Sequence, residues 1–195
     1  EYFSAMEYAQ GERLDNRLEV TGKFPENHVI RLGLQILDAD RYIYQKGYLY
    51  RDLKPENVIL DKNEDALLFD YGLCIPRERA LHPEGEFCSG SPYYIPPERL
   101  WGLPEDAFSE IYSLGMVIYH ALTGETFFKA NEAKKLASRH LGTLRFNVKA
   151  KLKGHSPELV NALSQMIKQD HTERLQTFEE AEAALEEAAK TAREK

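Results

Sequence analysis

One stretch constrains this chain more than any other: Tyr50-Arg51-Asp52-Leu53-Lys54-Pro55-Glu56-Asn57-Val58-Ile59-Leu60. A long helical pattern runs into it and an apolar run leaves it, so the polar residues between must form a shaped loop. Pro55 has no backbone donor and disfavours helix at Lys54. Asp52, Lys54 and Asn57 can then converge as an acceptor, a cation and a neutral oxygen ligand. Such a set suits taking a proton from a hydroxyl, neutralising a phosphoryl group and holding a divalent metal. A plain polar turn can carry the same residue types, so the rest of the chain has to decide.

The pattern around this loop is mainly helical. Glu1 to Ala9 reads as a short strand leaving into a connector, Gln10-Gly11-Glu12 as a turn, and Arg13 to Leu18 as one or two helical turns. Pro25-Glu26-Asn27 opens a strong helix that Gly47 ends, with Pro and an acid placed where a first turn wants them. Asn57 to Leu60 and Ala66 to Phe69 form a predicted hairpin with a polar turn. From Asp70 to Glu98 periodicity is lost, and a segment of that length inside a compact domain is usually functional or disordered. Phe108 to Leu122 is apolar all round, as a central buried helix would be, and Gly124 stops it. Amphipathic helices are predicted over 131–141, 157–168 and 178–193.

Composition excludes several classes. The 195 residues are 43% hydrophobic and 29% charged, which fits one large domain or two small ones. A formal net charge of -7 argues against a general nucleic-acid binder. No apolar run approaches the ~18 residues that span a bilayer, and no signal peptide is visible, so no membrane contact is expected within the chain. Two cysteines and six scattered histidines make neither a disulfide framework nor a metal-ligand pattern. A cytoplasmic, reducing setting is the simplest expectation. The chain opens at Glu1, and is expected to be a piece of something longer.

Two further stretches fall in order after the loop. In Leu67-Leu68-Phe69-Asp70-Tyr71-Gly72 a carboxylate ends an apolar strand, and a Gly two residues on allows a sharp turn. Asp70 follows Asn57 across one hairpin, so two oxygen ligands can be brought side by side. Gly90-Ser91-Pro92-Tyr93-Tyr94-Ile95-Pro96-Pro97-Glu98 closes the irregular segment.

Together these residues resemble the signature set of eukaryotic-type serine/threonine protein kinases. Tyr50-Arg51-Asp52 to Asn57 resembles the catalytic loop (50–57). Asp70-Tyr71-Gly72 is similar to the metal-binding turn, and Pro96-Pro97-Glu98 to the end of the activation segment (70–98). The resemblance implies a mainly α fold: the large helical lobe of a kinase over residues 10–195, with short β-hairpins. Residues 1–9 would be the last small-lobe strand and the hinge. It implies Mg-dependent transfer of phosphate from ATP to Ser or Thr hydroxyls of protein substrates, the position of Lys54 favouring Ser/Thr over Tyr. Asp52 would be the base, Lys54 the stabiliser of the transferring phosphate, and Asn57 and Asp70 the Mg²⁺ ligands. Met6 would be the gatekeeper, the backbones of Glu7 and Ala9 would bond adenine, Glu12 would contact ribose and Ile59 would pack under the base. Met6 and Ile59 suit a plain core equally well, since both environments are apolar.

The resemblance also implies supporting contacts. Glu98 and Arg174 would form a buried ion pair, Ser91 would hydrogen-bond Asp52 and Lys54, and Glu110 would grip the catalytic loop's backbone. Departures from the family's pattern are Tyr50 for His, Tyr71 for Phe, Pro96 for Ala and Glu110 for Asp. All leave Asp52, Lys54, Asn57 and Asp70 standing. The irregular segment has no Thr, so Glu84 or Glu86 is a candidate permanent charge for Arg51, with plain solvated acids as the duller reading. Cys74 and Cys88 are expected to be unreactive thiols. The family's Gly-rich loop, strand lysine and partner glutamate belong to a small lobe before the hinge, so this chain is expected to be inactive alone. Its upper apolar face would then favour self-association. The alternative is a pseudokinase-type scaffold that binds partners without chemistry.

Overall fold

The computed structural model describes residues 7–83, 90–129, 132–142 and 147–193. Its elements run β1 (Glu12–Arg13), α1 (Leu14–Thr21), α2 (Glu26–Gln45), β2 (Tyr48–Leu49), β3 (Val58–Leu60), β4 (Ala66–Leu68), β5 (Ile75–Pro76) and α3 (Arg77–Leu81). Then come α4 (Pro97–Leu100), α5 (Ala107–Thr123), α6 (Ala133–His140), α7 (Val148–Lys151), α8 (Pro157–Met166) and α9 (Phe178–Arg193). The fold is mainly helical with two small antiparallel sheets, as the sequence predicts.

Helix α5 is the axle. Asp106 caps its start by accepting from the Ala107 amide, and Gly124 ends it in the left-handed region at φ 74°. Ile111, Leu114, Met116, Val117, Ile118 and Leu122 are all buried, because α2 and α8 pack against it and α9 closes over both. Two glycines let these helices approach. A Cβ on Gly33 of α2 would lie 2.7 Å from Ile118 Cδ1, and one on Gly115 of α5 would lie 2.5 Å from Ile167 Cγ2. Apolar periodicity marks these helices as buried; what sets their spacing is the missing side chain at each crossing.

The small sheets place the loop. β1 pairs with β3 (Arg13 opposite Ile59) and β3 with β4 (Val58 opposite Leu68), so the order is β1-β3-β4. The predicted hairpin is present, and the 10–12 turn gives way at Glu12 to a third strand. β2 and β5 pair through Leu49 and Ile75. β5 and α3 lie inside the 70–98 segment, where periodicity is lost and which is expected to be functional or disordered. Strands of two residues held by a partner far away in sequence leave no periodic trace. Of the short strand expected over 1–9, residues 7–9 have no regular structure, as a connector would, and residues 1–6 lie outside the described residues. No helix among the described residues is long and apolar enough to cross a membrane.

A buried ion pair ties α4 to the far end of the chain. Arg174 Nη1 and Nη2 meet Glu98 Oε1 and Oε2 at 2.7 and 3.1 Å. Ser109 Oγ also donates to Glu98 Oε1 (2.6 Å), and Arg174 donates to the carbonyls of Lys168, Gln169 and Phe108. The charges are buried but the donors and acceptors are matched, which is what such a pair needs.

Two outcomes follow from this packing. Arg174→Met leaves Glu98 as an unmatched buried charge and should lower stability by about 3–5 kcal/mol in urea titrations. Gly115→Ala gains up to ~1 kcal/mol of helix propensity but forces α5 from Ile167, at an overpacking cost of about 1–3 kcal/mol. A net loss is expected in the same titration.

Candidate active site

The loop's shape begins with a strained residue. Arg51 sits at φ 68°, a region that an arginine enters only if its surroundings hold it. They do: the Arg51 amide donates to Glu110 Oε1 (3.0 Å), and Arg99 Nη1 donates to the Arg51 carbonyl. Pro55 then starts a single 3₁₀ turn over Pro55–Asn57, which aims Asn57 back at the loop. Asn57 Nδ2 donates to the Asp52 carbonyl (2.9 Å) and to Asp52 Oδ2 (2.8 Å), and Lys54 Nζ meets the same oxygen at 2.7 Å.

Asp52 is only 7% exposed, and its Oδ1 is buried with no donor among the described residues. Oδ2 is saturated while Oδ1 has nothing to accept. With its amide nitrogen committed to Asp52, Asn57 keeps its oxygen for another partner. Across the hairpin, the Phe69 amide donates to the Asn57 carbonyl at 3.2 Å, which puts Asp70 one residue beyond Asn57's neighbour. Asp70 is exposed, is held at φ 62° and accepts from the Gly72 amide (3.1 Å). A cavity of about 610 Å³ is lined by Arg13, Asp52, Lys54, Glu56, Asn57, Phe69, Asp70, Leu73, Gly90 and Ser91. The predicted catalytic and metal-binding side chains thus border one space.

The sequence pattern of the protein kinase domain matches residues 1–187. The chain belongs to the protein kinase family. It is 30% identical over 174 residues to the maternal embryonic leucine zipper kinase of Xenopus tropicalis, covering 89% of this chain and 26% of that protein. It is 36% identical over 130 residues to the serine/threonine-protein kinase GIN4 of Saccharomyces cerevisiae, covering 65% and 11% respectively. Against the serine/threonine-protein kinase PrkC of Bacillus subtilis it is 26% identical over 187 residues, covering 96% and 29%. The kinase chain therefore spans well under a third of each of these relatives.

Around the kinase loop the predicted support is partly rearranged. Tyr50 is fully buried and its hydroxyl donates to the Phe69 carbonyl, which satisfies the polar atom that replaced an imidazole. Tyr71 lies edge-on to Tyr50 at 5.9 Å and donates to the Leu68 carbonyl (3.1 Å). Ser91 lines the cavity, but its hydroxyl makes no hydrogen bond to Asp52 or Lys54 among the described residues. That expectation is corrected, because Lys54 turns onto Asp52 itself. Burial pushes the Cys74 thiol up to about 12, and it leans on the Tyr50 carbonyl at 3.7 Å, so it is an inert thiol as expected. Cys88, Glu84 and Glu86 lie outside the described residues.

The nucleotide-side predictions are spread along the connector. Glu7 is exposed and Ala9 half-buried in the irregular stretch before Gly11, and Met6 lies outside the described residues. Glu12 is half-buried and its carboxylate takes a 2.6 Å hydrogen bond from Arg17. Ile59 sits on β3, where Gly11 crosses so closely that a Cβ there would lie 2.5 Å from Ile59 Cγ2. A second cavity of about 650 Å³, bordered by Val148, Ile167 and Glu173, shares no residue with the site.

Sequence reasoning missed three residues. Arg51 Nη2 meets the buried Glu105 at 3.0 Å, and Arg99 Nε donates to the same carboxylate at 2.8 Å. Asp40, on α2, is buried against Glu110. The only trace any of them leaves in sequence is a charge inside an apolar context. Glu105→Gln removes a buried carboxylate that serves two guanidiniums. It should lower stability by about 3–5 kcal/mol, whereas Lys62→Gln on the exposed hairpin turn should change it by under about 0.5 kcal/mol.

Proposed function

We propose that this chain is the large lobe of a Mg-dependent protein kinase that transfers the γ-phosphate of ATP to Ser or Thr hydroxyls of protein substrates. In this reading residues 1–9 supply the last small-lobe strand and hinge, and residues 10–195 the lobe itself. The observation that carries it is the asymmetry of Asp52: one oxygen fixed by Lys54 and Asn57, the other buried, without a donor, on a residue that lines the cavity.

A substrate hydroxyl donating to Asp52 Oδ1 is oriented by a carboxylate that cannot rotate away. As its oxygen forms the new P–O bond, the hydroxyl proton passes to Asp52 and the bond from the γ-phosphorus to the bridging oxygen of ADP breaks. Lys54 supplies positive charge beside the transferring group. The Asn57 oxygen and the Asp70 carboxylate are the groups that would hold Mg²⁺. Two protein oxygens suit an ion that keeps waters and phosphate oxygens for its remaining positions. When bound, the metal neutralises charge on the phosphates.

On the nucleotide side, Glu7 and Ala9 would offer backbone groups to adenine and Ile59 an apolar floor, with Met6 beside it. Glu12 would have to leave Arg17 to reach a ribose. A cytoplasmic setting and self-association of the lobe through its upper face belong to the same reading.

The test is phosphate incorporation by the full-length protein given ATP, Mg²⁺ and a generic basic protein substrate. Asp52→Asn should abolish it, a loss of at least ~10³-fold given the contribution of a positioned base together with substrate alignment. If wild type and Asp52→Asn are equally inert while a partner still binds, the scaffold reading replaces this one.

A further inference from the structure

Beneath the catalytic loop two acids meet in the core. Asp40 on α2 and Glu110 on α5 are 2% and 1% exposed, and their carboxyls lie within hydrogen-bonding reach of each other. Asp40 Oδ1 and Glu110 Oε2 are buried with no donor among the described residues, while Glu110 Oε1 accepts the Arg51 amide. Two carboxylates cannot hydrogen-bond without a proton. A proton held between them satisfies both and fixes the Glu110 side chain that grips the strained Arg51.

We propose that Asp40 is a positioning residue: it shares a proton with Glu110 and thereby pins the Arg51 amide, making the shape of the catalytic loop dependent on that proton. The catalytic meaning of this pin rests on the function proposed above; the pin itself does not.

The surroundings favour a retained proton. Burial raises both carboxyls, and the neighbouring Glu110 raises Asp40 further. The titratable and charged groups facing the pair are Tyr50 and Arg51 from the loop, Arg99 from α4, Glu105 from the α4–α5 connection and Cys74 from the segment before β5. Arg51 and Arg99 pull Glu110 back towards ionisation, and Glu105 opposes them. Tyr50 and Cys74 are held neutral by burial, so neither competes for the proton.

The sign follows from linkage. A carboxyl raised on folding contributes stability that is fully present below its ordinary value, 3.8 for Asp40 and 4.5 for Glu110. That contribution is lost as pH rises through the folded value. Asp40→Asn supplies an amide N–H in place of the shared proton and so keeps the pin without titrating. Asp40→Leu removes it.

The experiment uses the 195-residue chain and needs no activity. Infrared spectra at neutral pH should show the carbonyl stretch of a protonated carboxylic acid in wild type and lose it in Asp40→Asn. Site-resolved amide exchange at Arg51 should be slow in wild type, faster as pH rises beyond the intrinsic pH effect, slow at all pH in Asp40→Asn, and fast in Asp40→Leu. Thermal unfolding of wild type should weaken relative to Asp40→Asn as pH rises. Absence of the acid band, or equal Arg51 exchange in all three proteins, overturns the proposal. An inert full-length enzyme with these signatures intact would count against the proposed function instead.

Discussion

The structure depends on how the backbone of Arg51 is held. A left-handed arginine is a local cost of roughly 1–3 kcal/mol that nothing in the loop itself repays. The repayment comes from the core: Glu110 takes the amide, Arg99 the carbonyl, and Glu105 the guanidinium. Glu110 rides on the axle helix and Arg99 follows the Glu98 clamp, so the loop inherits the rigidity of both. Asp52 is the next residue in the chain, and its orientation is fixed by that inheritance before Lys54 and Asn57 contribute.

This arrangement explains why so many charges can sit inside a core otherwise built of aliphatic and aromatic side chains. Glu98 with Arg174, and Glu105 with Arg51 and Arg99, are satisfied by several directed bonds each. Buried charges matched in this way add little net stability over an apolar core, and losing one partner is expensive. Their value is that they admit one arrangement of α4, α5 and the loop.

Much of this was legible in the sequence, and the reason differs by element. α5 and α9 were readable because helical periodicity and end signals, such as Gly124, act within a few residues. The convergence of Asp52, Lys54 and Asn57 was readable because Pro55 restricts the chain between them. β5 and α3 were not, since each exists only by leaning on distant partners. Asp40 and Glu105 were not, because a single acid in a helix or loop looks solvated until its neighbours are known. Ser91 was misread for a related reason: its nearness to the site was foreseeable, but Lys54's preference for Asp52 is decided by side-chain geometry alone.

The crossing of Gly11 over β3 has a mechanical consequence. A Cβ there would lie 2.3 Å from the Leu60 carbonyl, so the connector is seated against β3 at van der Waals range and cannot slip along it. β1, β3 and β4 therefore form one plate, with Asn57 just before its central strand and Asp70 two residues past the end of β4. Asp52 is bonded to this plate by Asn57 Nδ2, and through Arg51 its loop is anchored to α5 as well. A pull on the connector would thus be carried through Asn57 to Asp52 and on to the axle helix, with no gap between them to take it up.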